Sequence, residues 1–256
     1  MEHNARTDSL PSFLGLRVAV SGGTSGLGLA LVEEMLDRGA RVAFVARTRE
    51  RVEEVASLHR GAHGITGDVG KKEDIHRIAL QIVGCLGGLD VLVNNASDLG
   101  PVPLALLGDT ECKDLERALA VNLLGPFRLT RALLGALAAA AREGHGAVVL
   151  NVSSDAAIHA YPRWGAYGAS KAALHHLSRV WNEELAEQGV AFLSLDPGDM
   201  DTPLHALAVP DAERAGLKRP QTAARELTEA IAAALPRSGF GRSCAPASEV
   251  SRGELP

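Results

Sequence analysis

Short β-branched runs alternate with longer amphipathic runs along this 256-residue chain, and that alternation constrains the fold more than any other feature. Residues 17–21, Arg-Val-Ala-Val-Ser, read as a buried strand. Over residues 27–38 the apolar side chains Leu27, Ala30, Leu31, Met35 and Leu36 recur at helical spacing, and Gly39 stops that helix. The same reading predicts strands at 41–45, 65–66, 90–93, 146–152 and 189–195. It predicts helices at 49–59, 71–86, 115–142, 165–188 and 220–235, the fourth broken near Gly125-Pro126. Strand–helix alternation with no polar linker argues for one α/β domain on a doubly wound parallel sheet, with helices on both faces. The continuously apolar run Val148-Val149-Leu150 fits a strand covered on both faces. Residues 1–15 read as an N-terminal extension. Residues 237–256, rich in Pro, Arg, Ser and Gly, read as a loosely attached tail with one short strand near 243–245.

Composition narrows the partners. A net charge of −5 gives no electrostatic reason to expect nucleic acid or an anionic membrane, and 4% aromatics argues against a base-stacking surface. Cys85, Cys112 and Cys244 are odd in number and widely spaced, which points to a reducing, cytoplasmic compartment. The longest apolar run, residues 133–141, falls short of the ~18–20 residues of a spanning helix, and no signal peptide is expected. Among nine histidines, His175 and His176 are adjacent on a helix and His59 and His63 straddle Gly61, so no metal site is expected.

The chemistry-bearing motifs sit at strand ends. Gly22-Gly23-Thr24-Ser25-Gly26-Leu27-Gly28 joins the first strand to the first helix, where glycines and a helix N-terminus suit a pyrophosphate. After the second strand, Ala46 stands where a carboxylate would select NAD(H), and Arg47 with Thr48 suits a 2′-phosphate; NADP(H) is therefore favoured. Asp68-Val69 follows the third strand, where Asp68 suits either an adenine amino group or a helix cap. Asn94-Asn95-Ala96 follows the fourth strand, at the edge where open α/β sheets bind ligands. Ser153-Ser154 ends the fifth strand. Tyr167 and Lys171, four apart on the next helix, share a face, and a neighbouring ammonium is expected to lower the tyrosine pKa.

These stretches, with Asn122 and with Pro197-Gly198 followed by Thr202, resemble the short-chain dehydrogenase/reductase family in its single-domain, roughly 250-residue form; the likeness spans residues 18–202. The resemblance implies a Rossmann-type fold and an NAD(P)-dependent oxidoreductase acting on a small carbonyl or alcohol. It assigns Tyr167 as general acid/base and Lys171 to the nicotinamide ribose and the Tyr167 pKa. Ser154 would hydrogen-bond the substrate oxygen, and Asn122 would hold a water in a proton relay. The implied cofactor contacts are Gly22, Thr24, Ser25, Gly26, Leu27, Gly28, Arg47, Thr48, Asp68, Val69, Asn95, Ala96, Tyr167, Lys171, Pro197, Gly198, Met200 and Thr202. Family members form homodimers and homotetramers. The family's usual Asn-Asn-Ala-Gly is here Asn94-Asn95-Ala96-Ser97, Ser21 replaces a commoner threonine, and the usual apolar last strand is missing from the tail. Two other readings stay open on sequence alone: an idle NADP(H)-binding sensor, and a dehydratase or epimerase on the same fold. Asp155, His159, Tyr161, Arg163 and Trp164 are candidates for the substrate pocket, with Trp164 as an apolar wall, and residues 203–218 for a partly apolar lid.

Overall fold

The computed structural model describes residues 12–236. Six strands, β1 (Arg17–Ser21), β2 (Arg41–Ala46), β3 (Ala62–Thr66), β4 (Val91–Asn94), β5 (Ala147–Val152) and β6 (Val190–Leu195), form one parallel sheet in the order β3-β2-β1-β4-β5-β6. Helices α1 (Gly26–Asp37) and α8 (Pro220–Ala234) cover one face; α3 (Lys72–Leu86), α5 (Gly125–Arg142) and α6 (Gly165–Leu185) cover the other. The pleat sends Val18 and Val20 into the first layer, with Leu31, Met35 and Ile231. It sends Ala19 into the second, with Ile78, Ile82, Leu129 and Leu133. Every residue of β4 and β5 is buried, as continuous apolar strands require.

Departures from the sequence expectation have local causes. Strand β3 begins at Ala62 rather than 65, because it is an edge strand whose exposed His63 and Gly64 carry no hydrophobic pattern. The expected break at Gly125-Pro126 is absent. Helix α4 (Cys112–Leu119) continues through a π-turn (Ala120–Leu124) into α5. Pro126 has no N–H, and its ring would press on the carbonyl of Asn122 four residues back; the wider turn accommodates it. The run Cys112–Arg142 therefore reaches 31 residues, long and apolar enough to span a bilayer where none was expected. Its inner face instead packs Leu129, Leu133 and Leu137 into the second layer. Phe13, assigned to the N-terminal extension, is fully buried, and its N–H donates to the Arg38 carbonyl at 2.8 Å. Residues 1–11 and the tail 237–256, including the strand expected near 243–245, lie outside the described residues.

An Arg17–Asp90 ion pair holds the end of the sheet away from the cleft, with Glu143 3.6 Å from Arg17 and His145 3.3 Å from Asp90. Asp90, fully buried, accepts from the Arg17 backbone N–H at 2.7 Å, from Nε at 2.9 Å and from Nη2 at 2.7 Å. Its own N–H returns a bond to the Arg17 carbonyl at 2.9 Å, so the pair sets the register of the two central strands. Removing one member strands the other with its desolvation cost unmet. Asp90→Ala is expected to lower unfolding stability by about 3 kcal/mol, seen as a lower urea midpoint at unchanged slope. A loss below about 1 kcal/mol would show that solvent at Arg17 replaces the pair.

Candidate active site

The glycine turn owes its shape to contacts that exclude side chains. Gly22 adopts φ +76°, and its N–H donates to the Val45 carbonyl at 2.7 Å. A Cβ on Gly28 would stand 2.0 Å from the Gly22 oxygen and 2.5 Å from Asn95 Nδ2. Asn95 Nδ2 donates to the carbonyls of Ser21 at 2.9 Å and Gly22 at 3.3 Å. Ser21 Oγ accepts from the N–H groups of Asn95 at 3.0 Å and Ala96 at 3.1 Å. The carboxyl ends of β1 and β4 are thereby clasped where the strand order reverses, and a crevice opens there. Ser25 is the N-cap of α1, and its hydroxyl makes no capping bond.

A cleft of about 1150 Å³ runs from this turn across the carboxyl edge of the sheet. Gly22, Thr24, Ser25, Gly26, Leu27, Gly28, Arg47, Thr48, Asp68, Val69, Asn95, Ala96, Pro197, Gly198, Met200 and Thr202 all line it, as do Ser154, Tyr167 and Lys171. Arg51 lines it as well as Arg47. Asp68 does not cap α3. Its Oδ1 accepts from Gly70 N–H at 2.9 Å, and the N-cap is Lys71. The expected lid folds as a short helix α7 (Pro203–Ala208), capped by Thr202 Oγ1 on His205 N–H at 3.2 Å. Lys218 anchors its far end by donating to the Pro197 carbonyl at 3.0 Å and to Glu226 at 2.7 Å. Leu204 and Ala208 pack against the cluster of Leu99, Ala156 and Tyr167.

Helix α6 brings Tyr167 and Lys171 to one face, as their spacing predicts, and both are buried. Lys171 Nζ lies 5.5 Å from the centre of the Tyr167 ring and donates to the Val152 carbonyl at 2.7 Å. The expected fall in the Tyr167 pKa is not what these protein groups produce. Burial pushes the phenol up to about 12, and the neutral hydroxyls of Ser154 and Ser97 offset only part of the rise. Burial also pushes the Lys171 ammonium down to about 8. Trp164 packs edge-on against Tyr167 at 5.6 Å and forms one wall. Ser154 Oγ accepts from Ala156 N–H at 3.2 Å and donates to Asp155 at 3.0 Å; Tyr161 donates to the other Asp155 oxygen at 2.8 Å. Those donors outweigh burial and hold the Asp155 carboxyl below its usual range.

Asn122 stands behind the cleft, buried in the π-turn. Its Oδ1 accepts from Asp98 N–H at 2.8 Å and Ser97 Oγ at 3.3 Å; its Nδ2 donates to the Asp98 carbonyl at 2.7 Å and Ser170 Oγ at 2.9 Å. That fills the capacity of the amide, so a water can reach Asn122 only through its main chain. Pro126 cannot supply the N–H that an α-helix would give the Asn122 carbonyl. Ser97, a departure from the family pattern, and Asp196 also line the cleft. The signal available for both was position: Ser97 follows Asn94-Asn95-Ala96, and Asp196 follows the last residue of β6.

The family model for short chain dehydrogenases matches residues 17–213. An uncharacterized oxidoreductase of Thermotoga maritima is 35% identical over 191 residues, 73% of this chain and 72% of its own. The 2-(R)-hydroxypropyl-CoM dehydrogenase of Xanthobacter autotrophicus is 33% identical over 194 residues, 73% of this chain and 76% of its own. The crystal structure of a 3-ketoacyl-(acyl-carrier-protein) reductase from Brucella melitensis complexed with NADH superposes with a TM-score of 0.78 at 26% identity, covering 89% of this chain and 93% of that one. With its Rossmann-like strand order and a cleft at the strand-order reversal, this chain belongs to the short-chain dehydrogenase/reductase family of oxidoreductases.

Proposed function

We propose that this protein is an NADP(H)-dependent oxidoreductase that interconverts a carbonyl and a secondary alcohol, with Tyr167 as general acid/base. The observation that carries this reading is the convergence of Tyr167, Lys171 and Ser154 on the cleft beside the glycine turn. The residues present fit a dinucleotide. The Ser25 hydroxyl at the α1 N-terminus makes no capping bond, and Gly22, Gly26 and Gly28 bring backbone without side chains to the cleft. At the far end Arg47, Thr48 and Arg51 line the cleft with no carboxylate at Ala46, which favours a 2′-phosphate. Pro197, Gly198, Met200 and Thr202 would hold the nicotinamide end.

A bound nicotinamide supplies or takes the hydride. The chain's part is to move a proton and steady an oxygen. Tyr167 gives its proton to the carbonyl oxygen, or takes it from the alcohol, and Ser154 turns its hydroxyl from Asp155 toward the same oxygen. Lys171 spends one of its N–H donors on Val152, and the others face the cleft. With protein groups alone around it, burial keeps the Tyr167 phenol protonated through neutrality, so it meets a carbonyl substrate in the donor form. The dehydrogenase from Xanthobacter and the ketoacyl reductase from Brucella, by their names, act on an alcohol and a carbonyl.

Three measurements test this reading. In NADPH oxidation over a panel of ketones and aldehydes, Tyr167→Phe should lower kcat/KM by about 10²–10⁴-fold, and unchanged turnover would remove the proposed acid. Arg47→Asp should shift the NADPH/NADH preference at least about tenfold toward NADH, since a carboxylate repels the 2′-phosphate. An NADH preference in the unaltered protein would reduce Arg47 to a surface charge. Because the Lys171 pKa is depressed, its ammonium is present below about pH 8 and lost above it. Reductive kcat/KM should therefore hold through neutrality and fall above about pH 8; a profile flat from pH 7 to pH 10 counts against a role for the Lys171 charge.

A further inference from the structure

Ser154 has one hydrogen to donate, and two acceptors compete for it. In the structure its Oγ accepts from Ala156 N–H at 3.2 Å and donates to Asp155 Oδ1 at 3.0 Å. A hydroxyl serves one acceptor at a time, so Ser154 holds either Asp155 or the substrate oxygen. Turning about its Cβ–Oγ bond moves the hydrogen and leaves the oxygen on Ala156 N–H. Asp155 Oδ1 then loses its donor, while Oδ2 keeps the Tyr161 hydroxyl at 2.8 Å. Asp155 is exposed and lines the cleft, so the oxygen it frees is open to a bound substrate. That oxygen lies one hydrogen-bond length from the Ser154 oxygen. When a ketone carries a hydroxyl or an ammonium on the next carbon, its two heteroatoms, turned to one side, are also about ~3 Å apart. Such a substrate accepts from Ser154 through its carbonyl and gives Asp155 Oδ1 the hydrogen that Ser154 withdrew. A plain ketone leaves Oδ1 to water, and an anionic substituent meets a like charge.

We propose that Asp155 determines specificity: it selects carbonyl substrates with a hydroxyl or ammonium donor on the adjacent carbon, taking that donor in exchange for Ser154. The inference rests on Ser154 and Tyr167 holding the substrate oxygen. Tyr161 fixes the carboxylate for the exchange, since its bond to Oδ2 survives when Oδ1 changes partner. The charge of Asp155 stands without a competing cation at this end of the cleft. Among the described residues, the Lys and Arg side chains that line it are Arg47 and Arg51, beyond β2, and Lys171, which donates to the Val152 carbonyl.

The test compares α-hydroxyacetophenone and α-aminoacetophenone with propiophenone, which puts a methyl where they carry the donor. Each is reduced by the full chain with NADPH, and the readout is the kcat/KM ratio of each donor ketone to propiophenone. A neighbouring heteroatom also activates a carbonyl by itself, so the change in that ratio between proteins decides. Asp155→Ala should lower both ratios about tenfold or more, the worth of a hydrogen bond to a charged group. Asp155→Asn, which keeps an acceptor oxygen without the charge, should lower the ammonium ratio more than the hydroxyl ratio. Ratios in Asp155→Ala equal to those of wild type overturn the proposal, and an ammonium ratio undiminished in Asp155→Asn overturns its ammonium half. Calorimetry of the same three compounds on the NADP⁺-loaded proteins should show the same loss in relative affinity and needs no turnover; affinities that keep their wild-type ratio in Asp155→Ala overturn it equally. Failure of Tyr167 as acid/base would appear as an active Tyr167→Phe enzyme, and failure of the Asp155 selection as unchanged ratios.

Discussion

The clasp between the carboxyl ends of β1 and β4 is the interaction on which the rest of the molecule depends. These strands are neighbours, yet the chain leaves β1 for α1 on one face and leaves β4 for α4 and α5 on the other. Divergent exits leave a gap at the top of the sheet that no helix fills. Asn95 and Ser21 hold the gap open by bonding backbone to backbone across it, and Gly28 lets them meet because it lacks a Cβ. Ser154 lies one strand further along, at the end of β5, and α6 then returns Tyr167 and Lys171 to the same edge. A parallel sheet buried on both faces has no other edge where so many polar groups can converge.

Burial and charge oppose each other at that edge. The packing of Trp164, Leu204 and Ala208 that fixes the Tyr167 ring also removes water from its hydroxyl. The climb from 10.0 to about 12 disfavours the phenolate by about 3 kcal/mol. Lys171 suffers the complementary penalty and sits about 5.5 Å from the ring rather than bonded to the phenol oxygen. The groups that partly relieve Tyr167 are the neutral hydroxyls of Ser154 and Ser97, which carry no desolvated charge of their own.

Much of this was legible in one dimension. The glycine turn, Ser154, and the Tyr167/Lys171 pair announce themselves through spacing, because a helix repeat and a strand end place side chains by local geometry alone. Strand β3 was half hidden, since an edge strand with exposed His63 and Gly64 has little apolar pattern to read. Pro126 misled, because its usual effect on a helix is undone by the π-turn before it. Asp68 left two roles open, and its Oδ1 bond to Gly70 N–H closes one of them.

What the sequence determined by itself is the order of elements and the chemistry at their ends: a nucleotide-shaped turn, a basic step after β2 and a tyrosine–lysine helix. Only the tertiary structure decided the electrostatic state of those groups. It pushed Tyr167 up rather than down, filled the hydrogen-bonding capacity of Asn122, and brought Ser97 to the same cleft as Tyr167. The reason is physical. Spacing dictates which face a side chain takes, whereas desolvation and hydrogen-bond partnership depend on what the remainder of the chain packs against that face.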